Sequence, residues 1–330
     1  MISLTMRNIL LLLLAAGLCP AQSSSGVPKP PWAGEKKPAA TRSSSPRGEE
    51  DSNIKVDVKL VNVFVTVTDA RGAPVSTLGK DNFQIFEDGH PQKVSVFDKE
   101  SELPLSIVIN IDTSLSTRKD LPLELNSARR FAHAILRPVD GLAVYGFNET
   151  IETAVDFTAD LKAIDRGIDH LHLGAATALY DAIYLAAEAL EARQGRKAMV
   201  IITDGGDTVS KTDYQEALRA AQISEATVYS IIVVPIEASA GRDTGGEHAL
   251  IQLSEDTGGK YFYATTLAQL DQAFRAISDE LRTQYLVAYY PAQRIADSDF
   301  RRIEVKLTGL AGSSDFNARH RTGYYTSKLE

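Results

Sequence analysis

The 330-residue chain has one cysteine, Cys19, and one tryptophan, Trp32. A lone cysteine excludes an intrachain disulfide, so the fold must rest on a buried core, which a chain of this length can build. No block of basic residues occurs. The 35 Lys and Arg are outnumbered by 43 Asp and Glu, for a formal net charge of −8. The phosphate-neutralising footprint of a nucleic-acid binder is therefore missing, and no nucleic-acid partner is expected. No apolar run reaches the ~20 residues of a membrane-spanning helix, so no membrane-spanning segment is expected. There is no Gly-x-Ser-x-Gly elbow and no Gly-rich phosphate loop with its lysine, which removes two sequence marks of catalysis.

What is present is ordinary globular composition, 44% hydrophobic and 24% charged. The N-terminus has Arg7, ten apolar or small residues from Ile9 to Leu18, and then Ala21 before Gln22. This is the layout of a cleavable secretory signal over residues 1–21, and it predicts export to the periplasm or beyond the cell. Leu18 stands before Cys19, where lipid-attachment signals have a small residue, so the pattern does not favour an anchor. Residues 22–52 are rich in Ser, Pro and charge and read as a disordered linker.

From Ile54 the stretch IKVDVKLVNVFVTVTD alternates with period two, with a phase shift at Leu60–Val61 that predicts a bulge or bend. FQIFEDGHPQKVSVF predicts a hairpin turning at Asp88–Gly89. Residues 53–103 are thus the first part of a small β-sandwich, with too few strands to close alone. Residues 104–282 alternate apolar strands with amphipathic helices, which predicts an α/β domain: a doubly wound, mostly parallel sheet covered on both faces, with an antiparallel edge strand near residues 142–156. Residues 283–330 return to strand patterns in TQYLVAYYP, FRRIEVKLTGL and NARHRTGYYTS, and should complete the sandwich into which the α/β domain is inserted.

Chemistry concentrates in VINIDTSLSTRKD, where a buried strand runs into Asp112, Ser114 and Ser116. In an open parallel sheet, ligands bind beyond the carboxyl ends of strands. Asp204 ends the strand KAMVIITD, and Thr177 opens the helix before that strand, so all five residues should share one rim. They are hard oxygen donors, the kind that Mg²⁺ takes with several retained waters. Two carboxylates without an adjacent Arg or Lys would repel each other unless a cation intervenes. The alternative is that the serines cap the next helix and Asp204 closes a turn.

Asp-x-Ser-x-Ser after the first strand, a Thr before a long helix and the Asp of TDGGD resemble the metal-ion-dependent adhesion site of von Willebrand factor type A domains, over roughly residues 104–282. VTDARGAPV, NFQIFEDGHPQKV and YLVAYYP are similar to exported von Willebrand factor A-related proteins of Acidobacteria. The resemblance implies direct metal binding by the hydroxyls of Ser114, Ser116 and Thr177. It implies that Asp112 and Asp204 act largely through bound waters, and that a carboxylate of a protein partner completes the coordination. The expected cofactor is Mg²⁺, although composition does not separate it from Mn²⁺ or Ca²⁺.

The expected function is non-enzymatic: capture of an acidic residue of a protein ligand, in adhesion or envelope assembly. The alternatives are a structural envelope protein with a stabilising metal and a metal-dependent hydrolase, for which no base is evident beside the metal. Two further patterns are set aside. DTGG at Asp256 reads as a helix end with its Gly258–Gly259 turn, and His170 and His172 have no third zinc ligand nearby. The long loop over 235–248 should rise on the same rim and help to choose the partner.

Overall fold

The computed structural model describes residues 60–99, 102–234, 244–292, 300–310 and 315–326. The expected leader, the linker, Cys19, Trp32, the residues before the Leu60–Val61 bend and most of the loop over 235–248 lie outside them.

Strand β1 (Val61–Thr68) buries Val61, Val63, Val65 and Val67, the alternate residues of a period-two pattern. β2 (Phe83–Glu87) and β3 (His90–Gln92) form the expected hairpin. Asp88 and Gly89 both have positive φ, 48° and 79°, as a two-residue turn matched to strand twist requires. β4 (Val94–Lys99) then leaves this pair for another sheet.

The next strand, β5 (Leu105–Asp112), is buried at all eight positions. Its apolar residues serve both faces because helices cover both. The order continues with α1 (Leu121–Ile135), β6 (Gly141–Phe147), β7 (Ile151–Thr158), α2 (Leu161–Asp169) and α3 (Leu179–Glu191). It ends with β8 (Arg196–Thr203), α4 (Tyr214–Ile223), β9 (Thr227–Val233), α5 (Thr244–Asp256), β10 (Lys260–Ala264) and α6 (Leu267–Thr283). These strands form one six-stranded sheet in the order β10-β9-β8-β5-β6-β7, parallel except for the edge strand β7. Helices α1, α2 and α6 pack with Ile107, Ile109 and Ile111 on one face, while α3, α4 and α5 pack with Val108, Met199 and Ile201 on the other. The sequence pattern does not separate out α2. It is a nine-residue helix held close to β7, where a Cβ on Gly167 would come within 2.8 Å of the Ala154 carbonyl oxygen.

The C-terminal part supplies β11 (Tyr285–Tyr289), β12 (Phe300–Leu307), β13 (Asn317–Arg319) and β14 (Gly323–Tyr325). NARHRTGYYTS, expected as one strand, is in fact two that serve different sheets. The two four-stranded sheets, β13-β1-β11-β4 and β14-β12-β2-β3, each mix strands from both ends of the chain. Their inner faces share one core of Val63, Val65, Ile85, Val287, Tyr289, Ile303 and neighbours. The α/β part meets this sandwich at the end of α5. There Thr257 bridges to Arg321, and the Thr322 N–H donates to the Asp256 carbonyl at 2.9 Å.

Candidate functional site

β5 and β8 lie side by side, with Ile111 opposite Ile202. The chain leaves β5 for β6 on one side and arrives at β8 on the other, so the strand order reverses at this pair. The connections diverge there and open a crevice beyond the strand ends. Asp112 ends β5, and Asp204 directly follows β8.

Asp112 is fully buried. Its Oδ1 accepts from the Ser114 N–H at 2.8 Å, and its Oδ2 accepts from the Thr203 hydroxyl at 2.6 Å. The Ser114 and Ser116 hydroxyls are 2.9 Å apart, and Ser116 donates to Asp204 Oδ1 at 3.1 Å. A short turn, Leu115–Thr117, presents the serines; the Thr117 hydroxyl holds it by donating to the carbonyls of Asp112 at 3.1 Å and Ser114 at 2.9 Å. Ser114 makes no side-chain cap, and α1 begins later, after Asp120, also without one. The serines therefore spend their hydroxyls on each other and on Asp204, and the helix-cap alternative is not what these bonds show.

Thr177 lies two residues before α3 and is mostly buried. Its N–H donates to the Thr208 hydroxyl at 2.9 Å, and its carbonyl accepts from the Thr208 N–H at 2.8 Å. Asp112, Ser114, Ser116 and Asp204 thus form one hydrogen-bonded group, and Thr177 is tied through its main chain to the loop that follows Asp204.

Sequence reasoning missed two residues. Thr203 holds Asp112 Oδ2; its position directly before Asp204 was the available signal. Glu124, on α1, is 1% exposed, and both of its carboxyl oxygens lack a hydrogen-bond partner. Leaving such a group unmet costs on the order of 1–3 kcal/mol. Its signal was helical phase, because Leu121, Glu124 and Ala128 share the buried stripe.

Burial pushes the Asp112 carboxyl up to about 6; the hydrogen bonds from Thr203 and Ser114 oppose the rise, and the Asp204 charge adds to it. Burial also raises Asp204, against the Ser116 hydrogen bond. Glu124 is held well above the usual carboxylate range by burial first, and then by the charges of Asp112, Asp204 and Asp120.

This donor set fits a hard divalent cation. Adjacent ligand oxygens around an octahedral ion with bonds of ~2.1 Å stand ~3.0 Å apart. The Ser114–Ser116 separation of 2.9 Å matches that spacing, and Ser116 is in turn held by Asp204 at 3.1 Å. Among the described residues no group of three His, Cys, Asp or Glu side chains is placed to hold a metal ion.

Residues 107–206 match the family model of the von Willebrand factor type A domain, a stretch that spans β5 to the loop after Asp204. No curated protein matches the chain. Among solved structures, the chain is similar to the conserved hypothetical protein BatB from Bacteroides thetaiotaomicron, with 20% identity over 54% of this chain and 100% of that one, at a TM-score of 0.44. It is similar to a von Willebrand factor type A protein from Catenulispora acidiphila, with 12% identity over 81% and 75% of the two chains, at a TM-score of 0.48. It is also similar to the vWF domain of the type V pili tip protein Mfa5 from Porphyromonas gingivalis, with 14% identity over 53% and 94%, at a TM-score of 0.42.

Proposed function

We propose, with the von Willebrand factor type A match of residues 107–206 as premise, that the chain is an exported, non-enzymatic binding module. A divalent cation, Mg²⁺ in the first place, would be held by the hydroxyls of Ser114, Ser116 and Thr177, with Asp112 and Asp204 behind them. The bound cation supplies a Lewis-acidic centre for the carboxylate of an acidic side chain on a protein partner. Because the nearest ligands are neutral hydroxyls, most of the positive charge remains available to that carboxylate.

The observation that carries this reading is the hydrogen-bonded row from Asp112 through the Ser114 and Ser116 hydroxyls to Asp204, at the point where the strand order reverses. The secretory layout of the N-terminus supports export. Among the described residues no helix is long and apolar enough to cross a membrane.

The test is thermal unfolding of the full chain in chelator and in excess Mg²⁺, beside Ser116→Ala. Ser116 is exposed, so its loss leaves the core intact. Binding to the native state adds RT ln(1 + [L]/Kd), or about 2.7 kcal/mol at a hundredfold excess over Kd. Wild-type protein should gain melting temperature with Mg²⁺ and the variant should gain much less. Equal behaviour of the two proteins overturns the metal site.

A further inference from the structure

The carboxyl ends of β9 and β10 and the first turns of α1 and α6 border a groove of ≈ 610 Å³ beside the acidic cluster. Ser116 lines it and also belongs to the oxygen row, so groove and candidate metal site are continuous. Leu270 forms buried wall, whereas Leu115, Leu123 and Leu267 are 55%, 43% and 38% exposed around it. Three exposed leucines about one concavity are what an interface leaves open when its partner is absent. Glu124 also lines the groove, but its carboxyl oxygens are buried and out of a ligand's reach.

These features select the occupant. A cationic group would approach Arg118 and Lys119, which stand on the same wall. An anion seated deep in the groove would face Glu124 with Asp112, Asp204 and Asp120 near it. A purely aliphatic molecule would make no use of the adjoining candidate cation site. A peptide segment meets all three conditions: one side chain is apolar, its main chain is uncharged, and its acidic residue suits the cation site. Consecutive Cα atoms are ~3.8 Å apart, so neighbouring side chains of one segment reach both places.

We infer that this groove is a second subsite of the binding surface and takes an aliphatic side chain placed one or two residues from the partner's acidic residue. The inference rests on the proposed capture of an acidic side chain.

The experiment is selection of a displayed library of random heptapeptides on the full chain in Mg²⁺, with Leu123→Glu, Leu267→Glu and Ser116→Ala beside the wild type. Both leucines are surface positions, and either variant serves if the other fails to fold. The wild type should select Asp or Glu with Leu, Ile, Val or Met within two positions. A selected peptide should bind a leucine variant at least about tenfold more weakly, the scale of one aliphatic side chain left unburied. Both leucine variants should keep their Mg²⁺-induced rise in melting temperature. Acidic peptides selected without an aliphatic neighbour, or unchanged affinity in both leucine variants, overturn the groove while the cation site stands. Aliphatic peptides without an acidic residue, bound equally by Ser116→Ala, overturn the cation reading and keep the groove.

Discussion

Asp112 makes the metal-free protein pay for its own site in a pH-dependent way. Its carboxyl is raised from 3.8 to about 6 in the folded chain, first by burial. A native group with a raised acid pKa holds more protons than its unfolded counterpart between those two values. Stability therefore falls as pH rises through that window, and the full loss is present above it. At ~1.36 kcal/mol per pH unit, the two-unit rise is worth about 3 kcal/mol. For a domain of this size that is roughly 6–12 °C in melting temperature.

The perturbation is Asp112→Asn, which keeps an acceptor for the Ser114 N–H and removes the titration. The assay is thermal unfolding in chelator at steps from pH 4 to 7.5, with both proteins side by side. Glu124 and Asp204 shift in the same direction and are present in both proteins; because the Asp112 charge also raises Glu124, the difference between the curves reports Asp112 together with that coupling. The wild type should lose about 3 kcal/mol more than the variant as pH rises. Excess Mg²⁺ should restore the wild type above pH 6 and leave the variant nearly unchanged. Parallel curves in chelator would refute the reasoning, because they would mean that Asp112 is not strained by burial.

Three further outcomes are expected. Gly258→Ala should cost at least 2 kcal/mol on the scale of strained backbone positions, because φ is +81° and a Cβ would lie 2.5 Å from the His320 carbonyl carbon. Gly89→Ala, at φ +79° with nothing within 4 Å, should cost only about 1 kcal/mol, and chemical denaturation compares the two. Glu280 on α6 pairs at 2.6 Å with Arg319 on β13, with side chains only 2% and 18% exposed. Glu280→Met should cost about 3–5 kcal/mol in urea unfolding, and adding Arg319→Met should recover part of it. Thr203→Val removes the 2.6 Å hydrogen bond to Asp112 Oδ2. It should raise the Asp112 pKa further and weaken the Mg²⁺-induced stabilisation, as read by calorimetric titration with Mg²⁺.

Much of this protein is legible in its amino-acid order, for a local reason. Whether a segment is a strand or a helix depends on the period of its apolar residues; β1, α1 and α6 each carry a clear one, while β5 reads as a short, mostly apolar run. The Asp88–Gly89 turn is equally local, because positive φ is a property of the residues that sit in it. The order of elements places Asp112, Ser114, Ser116, Thr177 and Asp204 on one rim, since strand ends in a parallel sheet face the same way. Tertiary structure alone decided what those residues do with their hydrogen bonds. Adjacency of β5 and β8 brings Thr203 to Asp112 and Asp204 to Ser116, contacts that span about ninety residues of chain and depend on strand order. It also decided that NARHRTGYYTS divides between two sheets, because each half pairs with a distant strand. Glu124 shows the boundary between the two kinds of knowledge. Its helical phase already marks it as buried, but an unmet carboxyl exists only where packing removes water and no donor arrives, and that is a property of the assembled fold.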